Sequence, residues 1–140
     1  MEIIGLDIGT TGCKASLFDQ GGQFLGSASR EVAVDFPHPG WAEQDGEAIW
    51  QLVKQALRDL VSSTGRTDIT AIGLSVHGEA VTAVDAHGNT LRPFILGMDT
   101  RTGEQNLQLS RHFGAEQLFE WTGMPVHTIN TLPKVLWMRQ

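Results

Sequence analysis

Ile3-Ile4-Gly5-Leu6-Asp7-Ile8-Gly9-Thr10-Thr11-Gly12-Cys13-Lys14-Ala15-Ser16-Leu17-Phe18-Asp19 reads as two apolar runs joined by a turn of two glycines and two threonines. Each run has strand length and strand composition, so the stretch predicts a β-hairpin. One carboxylate, Asp7, is carried to the edge of the turn. A carboxylate is costly to bury unless it is paired or faces a cation or a polar ligand. Glycines let the backbone wrap closely around an anion, and neighbouring hydroxyls add short donors. The tip therefore reads as a phosphate receiver with Asp7 aimed at the accompanying cation, which points toward nucleotide chemistry.

Outward from the hairpin, Gln20-Gly21-Gly22-Gln23 is a second turn and Phe24 to Val34 a third strand, giving an antiparallel meander. Phe36-Pro37-His38-Pro39-Gly40-Trp41 contains two prolines, which remove donors and fix φ, so it is a rigid loop. Asp45 is placed to cap a helix running to about Ser62. Ile49, Leu52, Val53, Ala56, Leu57, Leu60 and Val61 recur at three- and four-residue spacing and form its apolar face. Thr64-Gly65-Arg66 ends it. Ile69 to Val76 is a strand reached through a helical crossover, which predicts parallel pairing. Val81–Val84 and Leu91–Leu96 flank the turn at residues 85–89 as a further hairpin. Helices follow at about 102–112 and 115–121, and Asn130 or Thr131 caps a last one, with Pro133 in its first turn. Leu132, Val135, Leu136, Trp137 and Met138 are still apolar when the sequence stops at Gln140, so the expectation is a piece of a larger architecture.

Composition narrows the class. With 140 residues, 41% hydrophobic and 19% charged, the chain has the balance of one globular domain. No apolar run approaches the ~18 residues that a membrane helix requires. A basic region followed by an apolar leader is also missing from the start, so neither a membrane role nor export is expected. A net charge of −6, with ten scattered Lys and Arg, argues against nucleic acid as a partner. Cys13 is the single cysteine and cannot form an internal disulfide, which predicts a reducing, cytoplasmic setting.

Three segments, in order, resemble the FGGY carbohydrate kinases, which include glycerol, xylulose and gluconate kinases. Asp7-Ile8-Gly9-Thr10-Thr11 resembles the family's first phosphate-binding hairpin. His38-Pro39-Gly40-Trp41-Ala42-Glu43-Gln44-Asp45 resembles its Pro-Gly-Trp-x-Glu-x-Asp segment. Ile72-Gly73-Leu74-Ser75-Val76-His77-Gly78-Glu79, followed by Asp99-Thr100-Arg101, resembles its substrate-side strand end and Asp-x-Arg turn. The resemblance spans the whole chain but only the N-terminal part of a family member, residues 1–140 being part of the first of two domains. It implies an α/β, actin-like ATPase (ribonuclease H-like) domain. The expected fold is a mixed sheet with the antiparallel three-stranded meander and helices packed on it, incomplete at residue 140.

The same resemblance implies transfer of the γ-phosphoryl group of ATP, with Mg2+, to a sugar or polyol hydroxyl. Gly9, Thr10, Thr11 and Gly12 would contact phosphates, Lys14 would lie near the transferred group, and Asp7 would face magnesium, through water. His77, Gly78, Glu79, Asp99 and Arg101 would form the substrate side. Two readings stand for His77, a sugar ligand or a satisfied strand-end histidine, and two for Asp99 and Arg101, a substrate clamp or a mutual pair. Trp41 reads as a core plug ahead of a sugar-site wall. Gly97 stands where many relatives carry Trp, which removes one apolar wall. Val76-His77-Gly78-Glu79 matches neither the xylulose-type Gln-Met-His-Gly nor the glycerol-type Gln-Arg-Glu pattern in full. The expected acceptor is a five-carbon ketose or a sugar acid.

By the same resemblance the catalytic base and the adenosine site lie beyond Gln140, so the isolated chain is expected not to phosphorylate sugars. Its partners are then ATP, a sugar or polyol, and either the missing C-terminal part or a second copy. Actin and the Hsp70 chaperones share a related Asp-x-Gly-Thr hairpin, so a nucleotide-binding or interaction module is the competing class. An inactive truncated product is the third. The Trp41 loop and the Asp99-Thr100-Arg101 turn favour the kinases.

Overall fold

The computed structural model describes residues 1–140. The chain runs through β1 (Glu2–Ile8), β2 (Gly12–Asp19), β3 (Phe24–Glu31), β4 (Glu43–Gln44), α1 (Gly46–Thr64), β5 (Ile69–Val76), β6 (Phe94–Ile95), α2 (Gly103–Phe113), α3 (Ala115–Thr122) and α4 (Thr131–Arg139). It divides into two units, one formed by Met1–Val34 with Gly46–His77 and the other by Asp35–Asp45 with Gly78–Gln140. No helix is long and apolar enough to cross a membrane.

The first unit is a four-stranded mixed sheet in the order β3-β2-β1-β5. The predicted meander is present, with β1 antiparallel to β2 and β2 antiparallel to β3, and β5 lies parallel to β1 as the helical crossover requires. Period-two alternation sends Ile4 and Leu6 of β1, and Cys13, Ala15 and Leu17 of β2, to one face. There they meet Val53, Ala56 and Leu60 of α1 in a single buried cluster. The third strand closes at Glu31 rather than Val34, and α1 runs two residues past the expected Ser62. Gly65, with φ +65°, terminates α1, its N–H donating to the Val61 carbonyl at 2.9 Å. At Gly26 a Cβ would lie 2.7 Å from Thr64 Cγ2, so only glycine lets the end of α1 press against β3.

Helix α1 packs on β2 and β3. The register Ile4↔Ile72, Leu6↔Leu74, Ile8↔Val76 puts three apolar side chains of β5 on the α1 face, yet Ile72, Leu74 and Val76 are exposed. Leu17, by contrast, is wholly buried. Leu17→Ala is therefore expected to destabilise the chain by about 2–5 kcal/mol and Leu74→Ala by under about 1 kcal/mol, read from urea unfolding midpoints. Similar costs at the two sites would contradict this packing.

In the second unit the expected hairpin of 81–84 with 91–96 is reduced to two isolated bridges, Val81↔Ile95 and Val84↔Thr90. Its second arm is shared: Phe94 and Ile95 pair instead with Gln44 and Glu43, a two-residue strand that the sequence reading left as loop. Pro93 lacks an N–H to extend the ladder. The turn itself is as expected, the Asp85 carboxylate accepting from the His87 and Asn89 amides and from Asn89 Nδ2. Helices α2, α3 and α4 follow within two residues of their predicted bounds. Asn130 occupies the N-cap position of α4, but its side chain makes no cap bond and donates to the Pro125 carbonyl.

Candidate functional site

The hairpin tip is closed by the Gly9 N–H donating to the Gly12 carbonyl at 2.8 Å, and the Val32 N–H ties in the Thr11 carbonyl at 3.0 Å. Gly12 has a structural cause as well as the expected functional one. A Cβ there would sit 2.8 Å from the Arg30 carbonyl oxygen, so the β2–β3 approach alone requires glycine. Asp7 and Lys14 are directly paired across β1 and β2, both exposed, on the face turned away from the core. On its other side Asp7 is in register with Ser75 of β5.

The parallel pairing of β1 with β5 brings their C-terminal ends together, as in open α/β sheets that bind ligands there. His77 follows β5, and its N–H donates to the Ile8 carbonyl at 3.0 Å. Its ring Nδ1 lies 2.9 Å from the same oxygen. A carbonyl oxygen only accepts, so Nδ1 carries a proton and the ring's second nitrogen, Nε2, is left for a further hydrogen bond. The ring is thus anchored through Nδ1, as the strand-end reading expects, with Nε2 free of that contact.

No group of three or more His, Cys, Asp or Glu side chains is arranged to hold a metal ion. Asp7 is a lone carboxylate. That donor set fits magnesium, which takes one or two carboxylates and completes its shell with phosphate oxygens and water.

In the second unit Asp99 and Arg101 pair with each other. Asp99 is fully buried, and Arg101 Nε and Nη2 reach its carboxylate at 2.9 and 2.6 Å. The Ala42 N–H donates to Oδ2 at 2.7 Å and the Arg101 N–H to Oδ1 at 2.9 Å. Arg101 Nη1 completes the node on Glu43 Oε1 at 2.7 Å. Burial alone would raise the Asp99 carboxyl. The Arg101 guanidinium and the two amides outweigh burial and hold it below the usual carboxylate range. The guanidinium also stacks 3.6 Å over the Trp41 ring and 4.9 Å from the Trp137 ring centre. Substrate clamping by Asp99 and Arg101 gives way here to the alternative, a mutual pair, because every guanidinium nitrogen already has a protein carboxylate.

Trp41 is half-buried between His38, Trp137 and Arg101, and it lines a cavity of about 160 Å³ with Arg92 and Pro93. It is neither a deep plug nor a bare wall. Gly40 has φ +79° and a Cβ there would fall 2.5 Å from Thr100 Oγ1, so glycine is required twice over. Thr100 N–H donates to the Gly40 carbonyl at 2.8 Å, seating the proline-rich loop on the Asp99-Thr100-Arg101 turn. Two motif segments far apart in sequence thus form one node.

Glu79 has φ +60° and is the one non-glycine residue in the left-handed region. Its carboxylate Oε2 accepts from Thr131 Oγ1 at 2.6 Å. Its backbone carbonyl accepts from Lys134 Nζ at 2.5 Å, and Lys134 also donates to the Ile129 carbonyl at 2.7 Å. Lys134 is fully buried, and burial pushes its ammonium below the ordinary lysine value against the pull of Glu79 and Asp99. The sequence reading passed over Lys134. The available signal was a single charge within Leu132, Pro133, Val135 and Leu136, the same argument that singled out Asp7. Glu79 also borders a cavity of about 280 Å³ walled by Leu118, Met124 and Leu132. A Cβ at Gly97 would meet Ile129 Cγ1 at 3.5 Å, so Ile129 stands where a larger side chain at 97 would project.

The profile of the FGGY family of carbohydrate kinases, N-terminal domain, matches residues 2–140. A glycerol kinase from Aquifex aeolicus (strain VF5) is 32% identical over 137 residues, covering 97% of this chain and 27% of that protein. A xylulose kinase from Escherichia coli (strain K12) is 31% identical over 137 residues, covering 98% and 28%. Among solved structures, xylulose kinase from Rhodospirillum rubrum superposes with a TM-score of 0.92 at 32% identity, over 99% of this chain and 29% of that one. Gluconate kinase from Lactobacillus acidophilus gives 0.91 at 27% identity, over 99% and 28%. The chain spans under a third of the length of the curated relatives it matches. The mixed α/β arrangement is that of these sugar kinases, the actin-like fold expected from the sequence.

Proposed function

Because the chain belongs to the FGGY family of carbohydrate kinases, we propose that residues 1–140 supply the N-terminal part of the first domain of an ATP-dependent enzyme that phosphorylates a sugar or polyol. The observation that carries this is the joint end of β1, β2 and β5, where Asp7, Lys14, the Gly9–Gly12 turn and the anchored His77 converge. Phosphoryl transfer needs positioning and charge stabilisation more than covalent chemistry from the protein. The backbone of Gly9, Thr10, Thr11 and Gly12 wraps the phosphates, and Lys14 offsets charge on the transferred group. Asp7 would face a magnesium ion through water, and that ion would supply charge neutralisation at the phosphates. In the first unit His77 Nε2 accepts a sugar hydroxyl, and in the second the Glu79 carboxylate accepts one, with Gly78 kept on the substrate side by the family resemblance. The acceptor oxygen bonds to the γ-phosphorus, the bond from phosphorus to the bridging oxygen breaks, and ADP departs. The hydroxyl proton goes to a base supplied from outside these residues.

Asp99 and Arg101 serve by fixing the Trp41 loop. A cytoplasmic setting accords with the free, buried Cys13. The other partners in this reading are the C-terminal remainder of such a kinase or a second copy.

The test is titration of the isotope-labelled chain with MgADP and, separately, with glycerol, D-xylulose and D-gluconate, followed by backbone amide NMR. MgADP is expected to shift Gly9–Lys14, and one of the three sugars to shift His77–Glu79. Nucleotide shifts with no response to any sugar would favour the competing nucleotide-binding module, and no response to either ligand would overturn both readings. In a coupled ATP-consumption assay the isolated chain is expected to show no turnover, since a missing base alone costs on the order of 10²–10⁴-fold.

A further inference from the structure

The strained backbone at Glu79 needs a cause. A left-handed φ at a residue with a Cβ costs on the order of 1–2 kcal/mol and persists only where surrounding structure over-determines it. Here α4 does so from two positions. Lys134 Nζ donates to the Glu79 carbonyl at 2.5 Å while held by the Ile129 carbonyl at 2.7 Å. Thr131 Oγ1 donates to Glu79 Oε2 at 2.6 Å. Backbone and side chain of one residue are thus gripped by successive turns of one helix.

We propose that Lys134 and Thr131 are positioning residues that preset the Glu79 carboxylate for a sugar hydroxyl, so that α4 sets acceptor affinity and selectivity. The proposal rests on the kinase reading above. Burying an ammonium is expensive, and Lys134 is fully buried with two neutral carbonyls as its hydrogen-bond acceptors. An apolar side chain would fill the same volume without that cost. What the ammonium adds is direction: it fixes the Glu79 carbonyl and with it the outward path of the side chain. With Oε2 held by Thr131, the other oxygen, Oε1, is left to accept from a ligand in one orientation. A carboxylate fixed in advance loses little freedom on binding, and it discriminates between epimers because it cannot swing to follow a misplaced hydroxyl.

Thr131 is exposed, so Thr131→Val deletes the hydroxyl at nearly constant shape without disturbing the core. In the NMR titrations with glycerol, D-xylulose and D-gluconate, Thr131→Val is expected to weaken the sugar that binds the parent chain roughly tenfold. Thr131→Ser is expected to restore binding, and Lys134→Met to weaken it at least as much as Thr131→Val does. The MgADP shifts at Gly9–Lys14 should be unchanged in all three, a split that general destabilisation would not produce. If Lys134→Met does not fold, the Thr131 pair decides. Sugar binding by Thr131→Val equal to the parent overturns the clamp while leaving the kinase reading intact. A parent chain that binds none of the three sugars overturns the kinase reading itself.

Discussion

Replacing Arg101 with methionine is expected to cost about 3–5 kcal/mol, the largest stability loss of any single substitution in the second unit. The guanidinium is 2% exposed, and it neutralises Asp99 at 0% and Glu43 at 16% exposure. Methionine fills much of the volume but leaves two carboxylates in a poorly solvated site with no cation. Asp99 would keep the Ala42 amide and the Arg101 backbone N–H, which is too little for a full charge. Trp41 and Trp137 would also lose the cation stacked against them. Against a typical total of about 5–15 kcal/mol, this loss should leave the unit close to unfolding at room temperature. The control is Arg30→Met. Arg30 pairs with Asp59 at the surface, where the side chains are 36% and 48% exposed, and the expected cost is under about 1 kcal/mol.

Acid titration gives the same node a sign. The Asp99 carboxyl is held below the usual carboxylate range, so its stabilising contribution is present at and above that range and is lost as pH falls through the lower folded value. In Arg101→Met the cation is gone and burial dominates, so the carboxyl is raised and protonation relieves the strain. Lowering the pH from 7 toward 4 should therefore narrow the gap between variant and parent in urea unfolding. A variant within about 1 kcal/mol of the parent at pH 7 would sink the account, given what removing one buried partner ordinarily costs.

Legibility followed the range over which each signal acts. The hairpin and β5 rest on apolar runs of seven or eight residues, the α1 face on a sustained helical period and the parallel pairing on the helical crossover, and the structure reproduces them. The pairing of β4 with β6 involves two residues a side, too few to carry a period, so Glu43–Gln44 read as loop. Asp99 and Arg101 are visible as candidates in the sequence, but the Ala42 amide that donates to Asp99 lies 57 positions away, a closure no local pattern encodes. Lys134 carries a sequence signal, a lone charge among apolar neighbours, but a helical lysine is ordinarily solvated, and the fold adds that this one is buried on carbonyls. Gly12 shows the reverse case. A glycine picked out for phosphate contact also has a packing reason 2.8 Å away, so its presence is weaker testimony to function than Asp7.

Asp7 is the residue on which the activity should depend most steeply. It is exposed and its partner across the hairpin, Lys14, contributes only a cross-strand charge pair worth roughly 0.2–1 kcal/mol. Asp7→Asn should therefore leave the unfolding midpoint almost unmoved. Its effect should instead fall on magnesium. The parent chain is expected to bind ADP more tightly with Mg2+ than without, because a carboxylate offers the cation a charged ligand beside the phosphates. In Asp7→Asn that difference should vanish, while metal-free ADP binds as well or better once a negative charge is removed. In an active kinase carrying this hairpin the same substitution should lower kcat by on the order of 10²–10³-fold, the scale seen when one preorganised charge-stabilising group is lost. Lys14→Met supplies the contrast. It should weaken ADP with and without magnesium alike, since an ammonium acts on phosphate directly. If Asp7→Asn preserves the magnesium dependence, Asp7 is not the metal-facing group. Ser75, the residue in register with it on β5, would then be the nearest side chain left to examine.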